Sequence, residues 1–333
     1  TRSGSVTGVQ TCALPISNDP GFAEILNAEA DAVCFVAKSW DYHVRLALGI
    51  SNEENLQSID ESVRAAIEAG REAMIDCEHF FDGYKANRDY ALACARTAYE
   101  AGARWVVLCD TNGGTLPHEV EAIVADVVRH VPGDGLGIHT HNDTENAVAN
   151  TLAAIRAGAR QIQGTLNGIG ERCGNANLTS LIPTLLLKPA YADRFETGVT
   201  PDKLKRLTHA SRLLDELLNR SPSRQAPYVG ESAFATKAGI HASAILKDPQ
   251  TYEHVPPEAV GNIRRVLVSN QAGRSNILAE LERIGLTVPP DDPHVGKLLD
   301  IVKERESIGY AYEAADASFE LLARPVLDRK SVV

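Results

Sequence analysis

IEAGREAMIDCE (67–78), YEAGARWVVLCD (99–110) and IRAGARQIQGTL (155–166) repeat one phrase. Each is the end of a helical pattern, a glycine, then an apolar run. Glycine suits the left-handed position just past a helix, so each phrase reads as a helix turning into a strand. The helical partner is clearest in 117–131, where Val120, Ile123, Val124, Val127, Val128 and Val131 recur every three or four residues. Pro117 stands at its start, where a missing N–H does no harm.

The sequence carries five such strands: DAVCFVAK (31–38), AMIDCE (73–78), WVVLCD (105–110), GLGIHTH (135–141) and RQIQGTL (160–166). Nearly continuous apolar runs suit parallel strands covered on both faces. Alternation with helices predicts βα units. Polar residues collect at the strand ends: Lys38 to Asp41, Glu78 and His79, Asp110 to Asn112, His139 to Asp143, and Thr165 to Asn177. In a (β/α)8 TIM barrel that rim carries the chemistry. An open doubly wound sheet is the rival, but no G-x-G-x-x-G follows a first strand. Five strands leave three barrel units missing, so the expected fold is α/β, a partial TIM barrel holding about strands 4–8.

The helix-like NDPGFAEILNAEA (18–30) opens this region, and TPDKLKRLTHASRLLDELL (200–218) reads as one amphipathic helix. From NRSPSRQAPYVG (219–230) proline and serine cluster and short helices follow. The expected organisation is a partial barrel over 18–220 and a helical subdomain over 221–327. The opening TRSGSVTGVQTCALPIS (1–17) matches no element pattern, and its core, 6–16, resembles a translated sequencing adapter, as does DRKSVV (328–333). Both are expected to be non-native and to form no part of the fold.

The 333 residues are 44% hydrophobic, enough for a large core, and carry a formal charge of −11 with no long basic run. That argues against nucleic acid or an anionic membrane as partner. No apolar run reaches the roughly 18 residues of a spanning helix, and no signal-peptide layout is visible. The six cysteines form no C-x-x-C pair. Cys34, Cys77, Cys109 and Cys173 sit in or beside strands and read as buried free thiols of a cytoplasmic protein.

His139 and His141 share one face of a strand. Two neutral imidazoles with oxygen ligands suit Zn2+, Mn2+ or a similar ion; packing or a hydrogen-bonded rim is the alternative. Asn142 and Asp143 follow, and a carboxylate or amide there would fix a ligating tautomer. In NGIGERCGNAN (167–177), Gly168, Gly170 and Gly174 allow close backbone approach to a ligand or simply make tight turns. Glu171 and Arg172 pair with each other or serve the barrel mouth. Glu78 is an acid or ligand-orienting carboxylate, or the partner of Lys38 or Lys85. Thr111 donates to a substrate carboxylate or caps a helix. His241 and Tyr252, taken alone, are ordinary polar residues.

Taken together, AKSWDYHV, CEHFFDGYKAN, LCDTNGGTLPHEV, GIHTHND, QGTLNGIGERCGNANL and GIHASAILKDPQTYEH, in this order from about Asn18 to Arg324, resemble the citramalate synthase family. Its wider group contains 2-isopropylmalate and homocitrate synthases. The resemblance implies an acyltransferase condensing acetyl-CoA with pyruvate to give (R)-citramalate and CoA, feeding isoleucine biosynthesis. It implies a divalent metal ion (Mn2+, Zn2+ or Mg2+) on His139 and His141, with Asn175 a further ligand. Glu78 and Thr111 match residues around the 2-oxo acid, and His241 and Tyr252 match a pair used in the acetyl-CoA half-reaction. Gly168, Gly170 and Arg172 lie in the loop associated with acetyl-CoA. Family members are usually homodimers.

A 2-isopropylmalate synthase, another 2-oxo acid condensing enzyme, or a lyase or aldolase on the same barrel are the alternatives. The family's first-strand motif D-x-T-L-R-D-G, with a metal-binding aspartate and an arginine, is not found here, nor is a regulatory domain after Arg324. The chain alone is therefore expected to be an inactive fragment that binds metal weakly.

Overall fold

The computed structural model describes residues 6–9, 20–313 and 315–328. Six strands form one sheet in sequence order: β1 (Val6–Val9), β2 (Ala32–Lys38), β3 (Glu72–Glu78), β4 (Trp105–Asp110), β5 (Leu136–Thr140) and β6 (Gln161–Gln163). Every neighbouring pair is parallel. The five expected strands are all present, and the helices between them give an α/β fold. Gly70, Gly102 and Gly158, the glycines inside the three repeated phrases, all have positive φ (73°, 106° and 134°).

One expectation fails at the N-terminus. Val6–Val9, where no element was expected, pairs with Ala32–Phe35. The backbone of β2 offers unpaired N–H and C=O groups along that edge, and a segment with two valines and a threonine satisfies them. Of the rest of the segments expected to be non-native, residues 1–5, 10–17 and 329–333 lie outside the described residues, and Asp328 follows the last helix.

The two faces of the sheet differ. Val33, Phe35, Ala73, Ile75, Cys77, Val106, Leu108, Leu136 and Ile138 point toward the helices and join one core with Ile59, Val63, Ala95, Val124 and Ala154. That face is uniformly apolar because the helices bury it. The opposite face carries Cys34, Lys38, Asp76, Glu78, Cys109, His139, Gln161 and Gln163. The strands are thus clothed by helices on one face and polar on the other, not apolar on both. Their runs look continuous in sequence because cysteine, methionine and valine occupy the remaining positions of the polar face.

The helix Asn52–Glu68 begins with a capping box, Ser51 Oγ accepting from the Glu54 N–H at 3.1 Å and Glu54 Oε2 from the Ser51 N–H at 2.7 Å. Such reciprocal caps contribute about 1 kcal/mol. Pro117 opens the helix Pro117–Val127 as expected, with Val120, Val124 and Val127 fully buried.

By compactness the chain divides into two units, Thr1–Leu181 and Ile182–Val333, with the division inside the helix Leu178–Leu187. The helix expected over 200–218 is two helices, Pro201–Leu204 and Leu207–Leu217. Gly261 abuts the Lys205 carbonyl at the break, where a Cβ would lie 2.0 Å from the oxygen. The second unit also holds a short parallel pair, β7 (Ala235–Thr236) with β8 (Arg265–Val266), so it is not purely helical. Its helices Arg274–Arg283, Pro293–Ser307 and Asp316–Leu327 close over Ile277, Leu281, Leu298, Val302 and Phe319. Among the described residues no helix is long and apolar enough to cross a membrane.

Candidate active site at the carboxyl ends of the strands

Strand register stacks the polar face into layers. Lys38 pairs with Glu78 across β2 and β3, Cys109 with His139 across β4 and β5, and His139 with Gln163 across β5 and β6. Lys38 and Glu78 form a half-buried ion pair. Lys85 instead reaches Glu119 at 3.5 Å. Of the partners open to Glu78, the structure therefore selects Lys38.

His139 Nε2 and His141 Nε2 face each other at 3.3 Å, and the Asn175 amide lies 3.1 Å from His139 Nε2. An isolated backbone bridge between His141 and Asn175 brings the glycine-rich loop to the strand end. Gly170 is required beside it: with φ at 157°, a Cβ there would lie 2.0 Å from Asn175 Oδ1. Gly174 is equally constrained by the Gly168 carbonyl, 1.9 Å from its hypothetical Cβ. These glycines therefore seat the loop on itself and on Asn175.

The tautomer of His139 is set from behind. His139 Nδ1 meets Gln163 Oε1 at 2.7 Å, and Gln163 Nε2 donates to Asp76 Oδ1 at 2.8 Å. Cys34 Sγ donates to the same oxygen at 3.3 Å. Strands lie about 4.8 Å apart, so a flat sheet would hold β3 and β6 roughly 14 Å apart, beyond the reach of these two side chains. The sheet must therefore curl with its polar face inside. Burial raises the Asp76 carboxyl above its usual range, and the bonds from Gln163 and Cys34 oppose that shift. Asn142 and Asp143, the residues expected to fix a tautomer, do other work. Asn142 Oδ1 accepts the N–H of Ala147 at 3.2 Å, where the next helix begins, and Asp143 binds Arg172. They point away because the chain turns immediately after His141.

His141 is buried, and its Nδ1 has no hydrogen-bond partner among the described residues. Burial first, then His139 and Arg172, push its pKa down and favour the neutral ring. The donor set suits a borderline divalent ion: two imidazoles converge through Nε2, and an amide can turn either atom toward the same point. Among the described residues no group of three or more His, Cys, Asp or Glu side chains could hold a metal. The third group at this point is thus an amide, not a carboxylate.

Arg172 sits at positive φ (53°). Its Nε and Nη2 grip the Asp143 carboxylate at 2.7 and 2.9 Å, and Nη2 also reaches the Thr111 carbonyl at 2.7 Å. Glu171, the expected partner, is at 3.5 Å; Asp143 wins because it offers a bidentate fork. The Arg172 bonds hold the Asp143 carboxyl below its usual range. Thr111 Oγ1 accepts from the His79 N–H at 2.7 Å, anchoring the turn after β3 rather than capping its own helix.

In the second unit, His241 on the helix Gly239–Lys247 and Tyr252 stand together, ring centroids 4.4 Å apart. Cys34, Cys77, Cys94 and Cys109 are buried, but Cys173 is exposed, because it lies on the outer turn of the glycine-rich loop. Cys12 lies outside the described residues.

The HMGL-like family matches residues 6–213, and the homocitrate synthase post-HMGL domain-like family matches residues 228–308. The (R)-citramalate synthase of Aquifex aeolicus (strain VF5) is 50% identical over 309 residues, 93% of this chain and 58% of that protein. The (R)-citramalate synthase of Synechocystis sp. is 48% identical over 319 residues, 94% of this chain and 57% of that protein. The chain thus spans a little over half the length of these curated relatives. Among solved structures, the HMG-CoA lyase of Bacillus subtilis superimposes with a TM-score of 0.54 at 20% identity, over 66% of this chain and 72% of that one.

Proposed function

The chain belongs to the HMGL-like family, and from that premise we propose that it carries the rim of an acyltransferase site that condenses acetyl-CoA with pyruvate, releasing (R)-citramalate and CoA. The observation that carries this reading is the convergence of His139 Nε2, His141 Nε2 and the Asn175 amide at the carboxyl end of a curled parallel sheet. Strands β2–β6 are read as about strands 4–8 of a (β/α)8 barrel, where that end is the catalytic one.

His139 and His141, with Asn175 as a further ligand, would hold a divalent ion (Zn2+, Mn2+ or Mg2+). When bound, it supplies Lewis-acid polarisation of the 2-oxo carbonyl, worth several kcal/mol. Glu78, held in place by Lys38, serves as the carboxylate beside the oxo acid and takes or returns a proton at its Oε atoms. Thr111 orients the substrate carboxylate through its hydroxyl hydrogen, since its oxygen already accepts from His79. Gly168 and Gly170 keep the loop low enough for acetyl-CoA to approach, and Arg172 locks that loop to Asp143. His241 and Tyr252 are assigned to proton handling in the acetyl-CoA half-reaction. The working form is a cytoplasmic homodimer.

The test is CoA release by the purified gene product containing this sequence, given acetyl-CoA with pyruvate, 2-oxoisovalerate or 2-oxoglutarate. Pyruvate is expected to give the highest kcat/KM. Preference for another 2-oxo acid would overturn the substrate assignment. Cleavage of a 2-hydroxy diacid with no condensation would replace it by a lyase.

A further inference from the structure

His139 and His141 differ in one respect that convergence alone does not explain. His141 Nδ1 is buried without a partner among the described residues. His139 Nδ1 is held by an amide from β6, itself held by a carboxyl from β3. We propose that Asp76 is a positioning residue: through Gln163 it fixes His139 in the Nδ1–H tautomer and aims the Nε2 lone pair at the point shared with His141 and Asn175.

An ionised carboxylate only accepts, so Asp76 Oδ1 takes the Gln163 NH2. The amide is then committed: its Oε1 faces His139 and must receive a proton from Nδ1. A neutral imidazole has one N–H, so Nε2 is left as a lone pair. Without Asp76, the Gln163 amide can rotate half a turn and offer its NH2 to Nδ1, and the proton moves to Nε2. Cys34, donating to the same Asp76 oxygen, keeps the carboxyl turned into the curl of the sheet. The strand register makes the span possible. Gly137 lies on the polar face between β3 and β6, and a Cβ there would meet Gln161 Oε1 at 2.3 Å. Asp76 touches neither imidazole, so it acts only through Gln163.

The purpose of that tautomer rests on the metal reading above, and the experiment separates the two. In the metal-free chain labelled with 15N-histidine, His139 is expected to show a protonated-type Nδ1 and a lone-pair-type Nε2. Gln163→Leu and Asp76→Leu should each remove that bias, and each should weaken Zn2+ binding by calorimetry about 10–100-fold. Gln163→Glu keeps an acceptor-only group at His139 Nδ1 and should retain the wild-type tautomer, whereas Asp76→Asn, which can donate as well as accept, should not hold it. That rescue is a readout that a packing role would not produce, and it remains available if a leucine variant does not fold. A wild-type His139 protonated on Nε2, or a tautomer indifferent to all four substitutions, overturns the proposal. A tautomer that shifts as expected while Zn2+ affinity stays unchanged supports the relay and removes the metal reading instead.

Discussion

Two histidine pairs sit at the same end of the sheet, and only one looks like a site. His43 and His79 follow β2 and β3, with ring centroids 4.3 Å apart, closer than the 5.1 Å between His139 and His141. Yet they meet as tilted rings in an aromatic group, with Trp40 stacked on His43 at 5.0 Å. His79 Nδ1 is occupied by Asp82 at 2.9 Å, and Asp82 also accepts from Asn112 at 3.0 Å. In the other pair it is the nitrogen edges that converge, with an amide at the same point and a fixed tautomer behind one ring. Proximity of imidazoles is therefore a poor guide. What distinguishes the His139–His141 pair is which atoms face each other and that the far side of one ring is held by an amide.

The largest expected effect breaks the converging pair. His139→Ala in the full-length gene product should lower kcat by at least about 1,000-fold, from the loss of several kcal/mol of carbonyl polarisation, measured by CoA release. Next comes Gly170→Ala. Its Cβ would strike Asn175 Oδ1, so Zn2+ affinity should fall about 10–100-fold. Calorimetric unfolding should show a cost of about 1–3 kcal/mol from the strained backbone.

The pH response of the glycine-rich loop is smaller. The Asp143 carboxyl is held below its ordinary range by Arg172. The pair thus contributes fully above the ordinary carboxylate pKa, near pH 4, and its contribution disappears as pH falls through the lowered value. Protection of residues 168–174 from hydrogen exchange, taken relative to the intrinsic rate at each pH, should fall below that point in wild type, and Asp143→Asn should already lower it at neutral pH. The smallest effects sharpen the contrast from the other side. His43→Phe should change Zn2+ affinity by less than about 2-fold, because the pair it breaks is a ring contact. Cys94→Ala should cost about 1 kcal/mol of stability through lost packing and leave CoA release unchanged.

Much of the scaffold was legible in the sequence, because a glycine past each helix and an apolar run after it are local signals. The same holds for His139, His141 and Asn175, which lie in short motifs. The groups that orient them were not legible: Gln163 is 24 residues from His139, and Asp76 is 87 from Gln163. Only parallel register and the curl of the sheet bring them together. Asn142 and Asp143, adjacent in sequence, were the natural candidates, and the turn after His141 takes both away. The strand at Val6–Val9 was illegible for a different reason: the edge of β2 decides its pairing, and four residues carry too little pattern to show it.

The most direct test of the central claim is titration of the metal-free chain with Co2+, followed by its ligand-field absorption. The wild-type chain is expected to develop a saturable spectrum at one ion per chain, and the His139→Ala, His141→Ala double variant none. A spectrum of equal intensity and affinity in the double variant would show that the ion binds elsewhere and that the converging imidazoles are not a metal centre.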